Sequence, residues 1–156
     1  MNVFIAAPLR TPIGRYGGGL AALTAADLGA HVTRAVIERS GVDVTRVDEA
    51  FMGCARQAGG GPNVARQISY RAGLGEAVPA TTLNMACGSG LRAIDLAYRA
   101  VLHDGAHAVI AGGVESMSRV PYLLTDARWG SKMGAQTVVD GMYRDGFACP
   151  LADMLM

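Results

Sequence analysis

Between Leu91 and Leu102 the chain reads Leu-Arg-Ala-Ile-Asp-Leu-Ala-Tyr-Arg-Ala-Val-Leu, and only Arg92, Asp95 and Arg99 interrupt the apolar residues. A helix without a proper polar face has to be buried inside a larger body. That requirement constrains the fold more than any other stretch. The neighbouring segments set the class. Val3 to Ala7 is a continuous apolar run before Pro8, read as a strand buried on both faces. Thr24 is placed to cap a helix, with Asp27 three residues on completing a capping box, Leu28, Val32, Ala35 and Val36 as its apolar stripe, and Gly41 as its stop. A strand is expected at Ala50 to Gly53, a helix near Asn63 to Ala72, a strand at Ala80 to Asn84, and a strand at His107 to Ala111. Strands and helices alternate, which predicts an α/β layer. The expectation is a βαβαβαβ mixed sheet with a buried central helix.

After Gly113 the pattern weakens into a long apolar loop with turn signals at Pro121, Gly130, Gly134, Gly141, Gly146 and Pro150. Loops of that length are usually functional covers or disordered segments. Trp129 and several methionines argue for a cover lying on something else. Residues 1–118 are therefore read as an α/β domain, incomplete by itself, and residues 119–156 as the beginning of a covering loop domain.

Composition narrows the function. The 156 residues suit one domain, yet only 17% are charged against 51% hydrophobic, which is underdressed for a free-standing surface. A formal net charge of +1 lacks the basic footprint of a nucleic-acid binder. No apolar run approaches the roughly 18 residues that span a bilayer, and the first residues lack the basic start and apolar stretch of a secretory signal. Cys54, Cys87 and Cys149 are odd in number and widely spaced, suggesting neither a disulfide framework nor a zinc site. A cytoplasmic location, no membrane partner and no metal are expected.

Cys87 carries the chemical interest. It stands at a strand-to-helix junction, followed by Gly88, Ser89 and Gly90. Free N–H groups and the positive end of the helix dipole there favour a thiolate over a thiol. Glycines let a carbonyl substrate approach the backbone, and the N–H groups suit an oxyanion. From position alone, nucleophile and buried packing residue remain equal readings. Cys54 reads as strand-end packing, and Cys149 has no activating helix end. His31 falls mid-helix. His103 and His107 lie beyond the far end of the helix that Cys87 opens, about 22 Å away for some 15 residues. No histidine in the sequence can therefore be assigned as its base. Glycine clusters 17–19 and 59–61 read as turns, Met117, Met133, Met142, Met154 and Met156 as packing, and Arg66 and Arg71 as solvating the second helix. Phosphate-loop, dinucleotide and His-Glu-x-x-His templates are absent.

Asn84-Met85-Ala86-Cys87-Gly88-Ser89-Gly90-Leu91 resembles the nucleophile signature of the thiolases, the acetyl-CoA acetyltransferases and 3-ketoacyl-CoA thiolases. Arg10-Thr11-Pro12-Ile13-Gly14 is similar to the family's opening loop. Gly61-Pro62-Asn63-Val64-Ala65-Arg66-Gln67 resembles its Gly-x-Asn-x-Ala-Arg-Gln stretch, and Gly112-Gly113-Val114-Glu115-Ser116-Met117-Ser118 the segment after the fourth strand. Ala127-Arg128-Trp129-Gly130, Lys132-Met133-Gly134 and Asp145-Gly146 resemble the start of its loop domain.

The resemblance implies a thiolase-like fold, N-terminal half, and an acyl-CoA acyltransferase in which Cys87 takes the acyl group from a CoA thioester. Thiolysis by CoA or Claisen condensation with acetyl-CoA would follow. It also implies that the Cys87 N–H is an oxyanion donor and that Phe147 and Met156 line the acyl and pantetheine region. Coenzyme A is substrate, no cofactor is tightly bound, and the full-length enzyme is a homo-oligomer, dimer or tetramer. Leu155 departs from the family, which often has a substrate-side His there. A second half of the family, carrying the activating His and a second Cys, has no counterpart in this sequence, so little turnover is expected of this chain alone. Two alternatives stand beside this reading. One is a truncated, non-catalytic paralogue that serves as an interaction module. The other is a ketosynthase-like relative, against which the Arg128 to Gly134 block argues.

Overall fold

Successive residues of a strand face opposite sides of a sheet, and the strand Val47–Gly53 (β1) uses this to pack on both faces. Ala50, Met52 and the following Cys54 turn to one side, and Phe51 turns to the other. In the computed structural model, which describes residues 2–130 and 132–156, β1 is the middle strand of three. Ala80–Leu83 (β2) and Ala108–Gly113 (β3) flank it, both parallel to it, in the order β2-β1-β3.

Helix α1 (Ala25–Ser40) starts and stops where its sequence demands. Thr24 accepts from the Asp27 N–H at 3.1 Å, and Asp27 accepts from the Thr24 N–H at 3.0 Å, closing the capping box. Gly41 ends the helix in the left-handed region at φ 66°. Helix α2 (Val64–Ala72) is capped by Asn63, whose side chain accepts from the Arg66 N–H. The two helices cross closely at Gly29, where a Cβ would stand 2.3 Å from Cδ1 of fully buried Ile68. Together they cover the Met52 and Cys54 side of the sheet.

Helix α3 (Ser89–His103) covers the other side, its Ala93 and Ala100 packed against Phe51. Its beginning is pressed onto the ends of β1 and β3. A Cβ on Gly53 would stand 2.5 Å from the Ser89 backbone, and one on Gly113 would stand 3.0 Å from the Gly90 Cα. Glycine is required at Gly53 by this contact, because backbone cannot move aside as a side-chain tip can.

Several expectations are corrected. Val3 to Ala7 forms no strand: it pairs with no other strand among the described residues, and Phe4 is 83% exposed. The main sheet is thus three-stranded and parallel rather than mixed, since the antiparallel pairs are only the short ribbons Tyr122–Leu123 (β4) with Val139–Asp140 (β5) and Ala148–Cys149 (β6) with Met154–Leu155 (β7). The central helix is half-buried. Leu91 is 72% exposed, and Ile94 and Tyr98 are exposed with it, because only one side of α3 has a sheet to pack on. Met133, Met154 and Met156 are exposed rather than packed, as are Trp129 and Leu151. Arg66 and Arg71 do more than solvate α2. Arg66 donates to the carbonyls of Glu76 and Val78, pinning the loop before β2, and Arg71 pairs with Asp27 at 2.7 Å, tying α2 to α1. No helix among the described residues is long and apolar enough to cross a membrane.

Candidate active site

The carboxyl ends of parallel strands and the amino end of the next helix bring free N–H groups to one rim of a sheet. Cys87 sits on that rim. It leads into α3, with Gly88 as the N-cap residue, and it is exposed. The N–H groups of Gly90 and Leu91, in the first turn of α3, donate to no backbone carbonyl among the described residues. That leaves them available to an incoming negative oxygen.

The loop that presents Cys87 is tied at nearly every residue. Ser89, buried, accepts from the Met85 N–H at 2.8 Å and donates its hydroxyl proton to the Ala86 carbonyl at 2.7 Å. Gly88 N–H donates to the Met85 carbonyl, and Asn84 Oδ1 accepts from the Ala86 N–H at 2.9 Å. Ala86 itself is held at φ 47°, in the left-handed region that a residue with a Cβ rarely adopts. An outlier of this kind persists only where its surroundings enforce it, and such positions concentrate at functional sites.

A second cluster lies alongside. Glu115, just after β3, takes three donors from the loop that follows β1: the Ala55 N–H at 3.0 Å, the Arg56 N–H at 2.8 Å and the Cys54 thiol at 3.3 Å. Cys54 is fully buried, in line with its reading as packing. Burial first, then the Glu115 charge and the S–H bond to it, pushes the Cys54 thiol up to about 12. That thiol stays protonated at neutral pH, which makes it a poor nucleophile. The loop after β1 and Asn84 border a cavity of about 340 Å³ that Val120, Gly141 and Asp145 line from the other part of the chain.

The other residues singled out in the sequence lie elsewhere. Phe147 and Met156 are brought to each other, the Met156 N–H donating to the Phe147 carbonyl at 2.9 Å across the β6–β7 ribbon. Phe147 also carries the Arg56 guanidinium 5.3 Å from its ring centre. No hydrogen bond links that ribbon to the Cys87 loop among the described residues. His31 is exposed on α1; His103 ends α3, and His107 stands 3.6 Å from Asp48 at the opposite end of the sheet. None is placed as a base for Cys87. No group of His, Cys, Asp and Glu among the described residues is arranged to hold a metal. In the sequence, Asn84, Ser89 and Glu115 stand out only as motif letters, and Gly53 and Gly113 do not stand out as site residues at all. A glycine at the end of each of two strands is the available signal for a helix end seated on the sheet.

Comparison with known proteins decides the family. Residues 3–156 match the thiolase N-terminal domain. The chain belongs to the thiolase family. It is 50% identical over 146 residues to an acetyl-CoA acetyltransferase of Chromobacterium violaceum, covering 94% of this chain and 37% of that protein. It is 47% identical over 145 residues to a probable acetyl-CoA acetyltransferase of Escherichia coli K12, covering 93% of this chain and 37% of that one. With a probable acetyl-CoA acyltransferase of Staphylococcus epidermidis it shares 44% identity over 155 residues, 99% of this chain and 39% of the relative. This thiolase chain thus spans well under half the length of the curated relatives it matches. The α/β architecture with its parallel sheet agrees with the thiolase-like fold read from the sequence.

Proposed function

We propose that this chain is the nucleophile-bearing part of a thiolase that transfers acyl groups to and from coenzyme A. The observation that supports this above others is Cys87: an exposed thiol leading into α3, on a loop held by Ser89 and Asn84. In the degradative direction the Cys87 thiolate attacks the keto carbon of a 3-ketoacyl-CoA. The bond between that carbon and its neighbour breaks, and the departing enolate takes a proton to leave as acetyl-CoA. The thiolate of a second CoA then attacks the acyl-cysteine, forming a new thioester and returning Cys87. In the synthetic direction Cys87 takes an acetyl group from acetyl-CoA with loss of CoA. A second acetyl-CoA, having given its α-proton to a base, attacks as an enolate. The Cys87 N–H, with the free N–H groups of the first turn of α3, is the oxyanion donor.

No histidine among the described residues is placed to take these protons. Each acid/base group is worth about 10²–10⁴-fold, so the 156 residues alone are expected to turn over little. Phe147 and Met156 are assigned to the acyl and pantetheine region, and the chain divides at residue 118 into an α/β part and a covering part. The test is intact-mass measurement after incubation with acetyl-CoA. The complete protein is expected to gain one acetyl group, located at Cys87 and missing in Cys87→Ala. Absence of any adduct on the complete protein overturns the mechanism.

One observation favours a second reading. The exposed Leu91, Ile94 and Tyr98 of α3 form an apolar face suited to a partner, as in a non-catalytic interaction module. A monodisperse monomer by size exclusion counts against that reading.

A further inference from the structure

The loop after β1 and the Cys87 loop are separate stretches of chain, yet one line of hydrogen bonds joins them. It starts at Glu115, whose carboxylate fixes the Ala55 and Arg56 N–H groups and the Cys54 thiol. With its N–H side held, Ala55 presents its carbonyl to Asn84 Nδ2 at 3.3 Å. That contact fixes which way the Asn84 amide faces, so its Oδ1 accepts from the Ala86 N–H at 2.9 Å. Ala86 is the residue held at φ 47°, and Cys87 follows it directly. An amide is suited to this middle position because it offers a donor on one side and an acceptor on the other. Asn84 is exposed, so no packing holds it in place of these bonds.

We infer that Glu115 and Asn84 are positioning residues for Cys87: Glu115 sets the loop after β1, and Asn84 passes that setting to the left-handed backbone at Ala86. Neither touches the thiol. The inference deepens the assignment of Cys87 as nucleophile and rests on it for its functional meaning, but the geometry it asserts is testable without substrate.

The experiment is a double-mutant cycle read by the rate of Cys87 alkylation with iodoacetamide, followed on the Cys87 peptide by mass spectrometry in the complete protein. Asn84→Asp keeps the acceptor for Ala86 and removes the donor to Ala55. Glu115→Gln keeps shape and removes the charge that takes three donors. Each single change is expected to alter the rate about fivefold, the size of one hydrogen bond's net contribution. The double variant is expected to differ no more than the larger single, because both act along one line. Effects that multiply, or a Glu115→Gln rate equal to the parent's, overturn the inference. If Glu115→Gln does not fold, Glu115→Asp enters the same cycle under the same criteria. Arg66→Ala, which loosens the loop before β2, serves as the control. It is expected to lower stability and leave the Cys87 rate alone, and an equal change there means general loosening and overturns the relay. Acetylation by acetyl-CoA is measured separately. Its failure with the cycle intact removes the nucleophile assignment and leaves the positioning relay standing.

Discussion

The two sides of one sheet are finished differently. On the Met52 side, α1 and α2 close over the strands and leave Ile68, Val64 and Cys54 with almost no exposed surface. On the Phe51 side, α3 packs inward with alanines and leaves Leu91, Ile94 and Tyr98 facing outward. The closed side is built from large side chains interlocked at Gly29. The open side brings backbone against backbone at Gly53 and Gly113, and the site stands on its rim. Stability and the placing of Cys87 thus draw on different faces. Interlocking side chains lower the free energy of the fold, whereas close backbone contact fixes where the first turn of α3, and with it Cys87, is placed.

The sharpest way to break the closed side is Ile68→Ala. Emptying that fully buried site is expected to cost about 2–5 kcal/mol in urea unfolding. Gly29→Ala added to it should recover part, because the Cβ that clashes with Ile68 in the parent would occupy the space left behind. Recovery of nothing would mean the helices do not meet there. Next comes Gly53→Ala, whose Cβ meets the backbone of Ser89. Overpacking of about 1–3 kcal/mol is expected, together with a loss of Cys87 acetylation in the complete protein larger than any loss in Ile68→Ala when both remain folded. Equal losses would erase the division of labour between the faces.

Another effect concerns pH. The Cys54 thiol ionises at about 12 in the fold against 9.0 for an ordinary thiol. Between those values the unfolded chain has released a proton that the folded one still holds, so stability falls as pH rises through that window. Denaturant midpoints taken from about pH 8 upward should show that fall, and Cys54→Ala should reduce its slope. An unchanged slope would show that the buried thiol does not contribute. Least of all, Leu91→Glu on the open face is expected to change stability by no more than about 0.5 kcal/mol. It should, however, reduce any self-association seen by size exclusion. A large loss of stability would show that the α3 face is packed in solution.

How much of this is legible in the sequence depends on whether the signal is local. The start and stop of α1 are readable because Thr24, Asp27 and Gly41 act on backbone within one turn. The junction at Cys87 is readable because the strand, glycines and helix adjoin one another in sequence. The strand expected at Val3 to Ala7 does not form, since a strand exists only when another edge accepts its hydrogen bonds, and apolar residues cannot specify that edge. Arg66 misleads for a similar reason: its partners, the carbonyls of Glu76 and Val78, are backbone and leave no mark in side-chain pattern. The glycines at Gly53 and Gly113 are visible as letters, but their purpose lies in a helix end arriving from another part of the chain.

The parallel sheet also sets a timetable. Its middle strand has no neighbour nearby in sequence: Ala50 pairs with Ala80, and Val47 with Ala108. As the chain leaves the ribosome, β1 must wait exposed until β2 has emerged, and stays open along its other edge until Gly113 is made. Sheets assembled from such distant pairings form slowly and present unpaired edges meanwhile. The capped helices α1 and α2 are complete before either pairing is finished. Their early docking on the Met52 side would shelter β1 during that wait, so the closed face is also the part of the molecule best placed to form first.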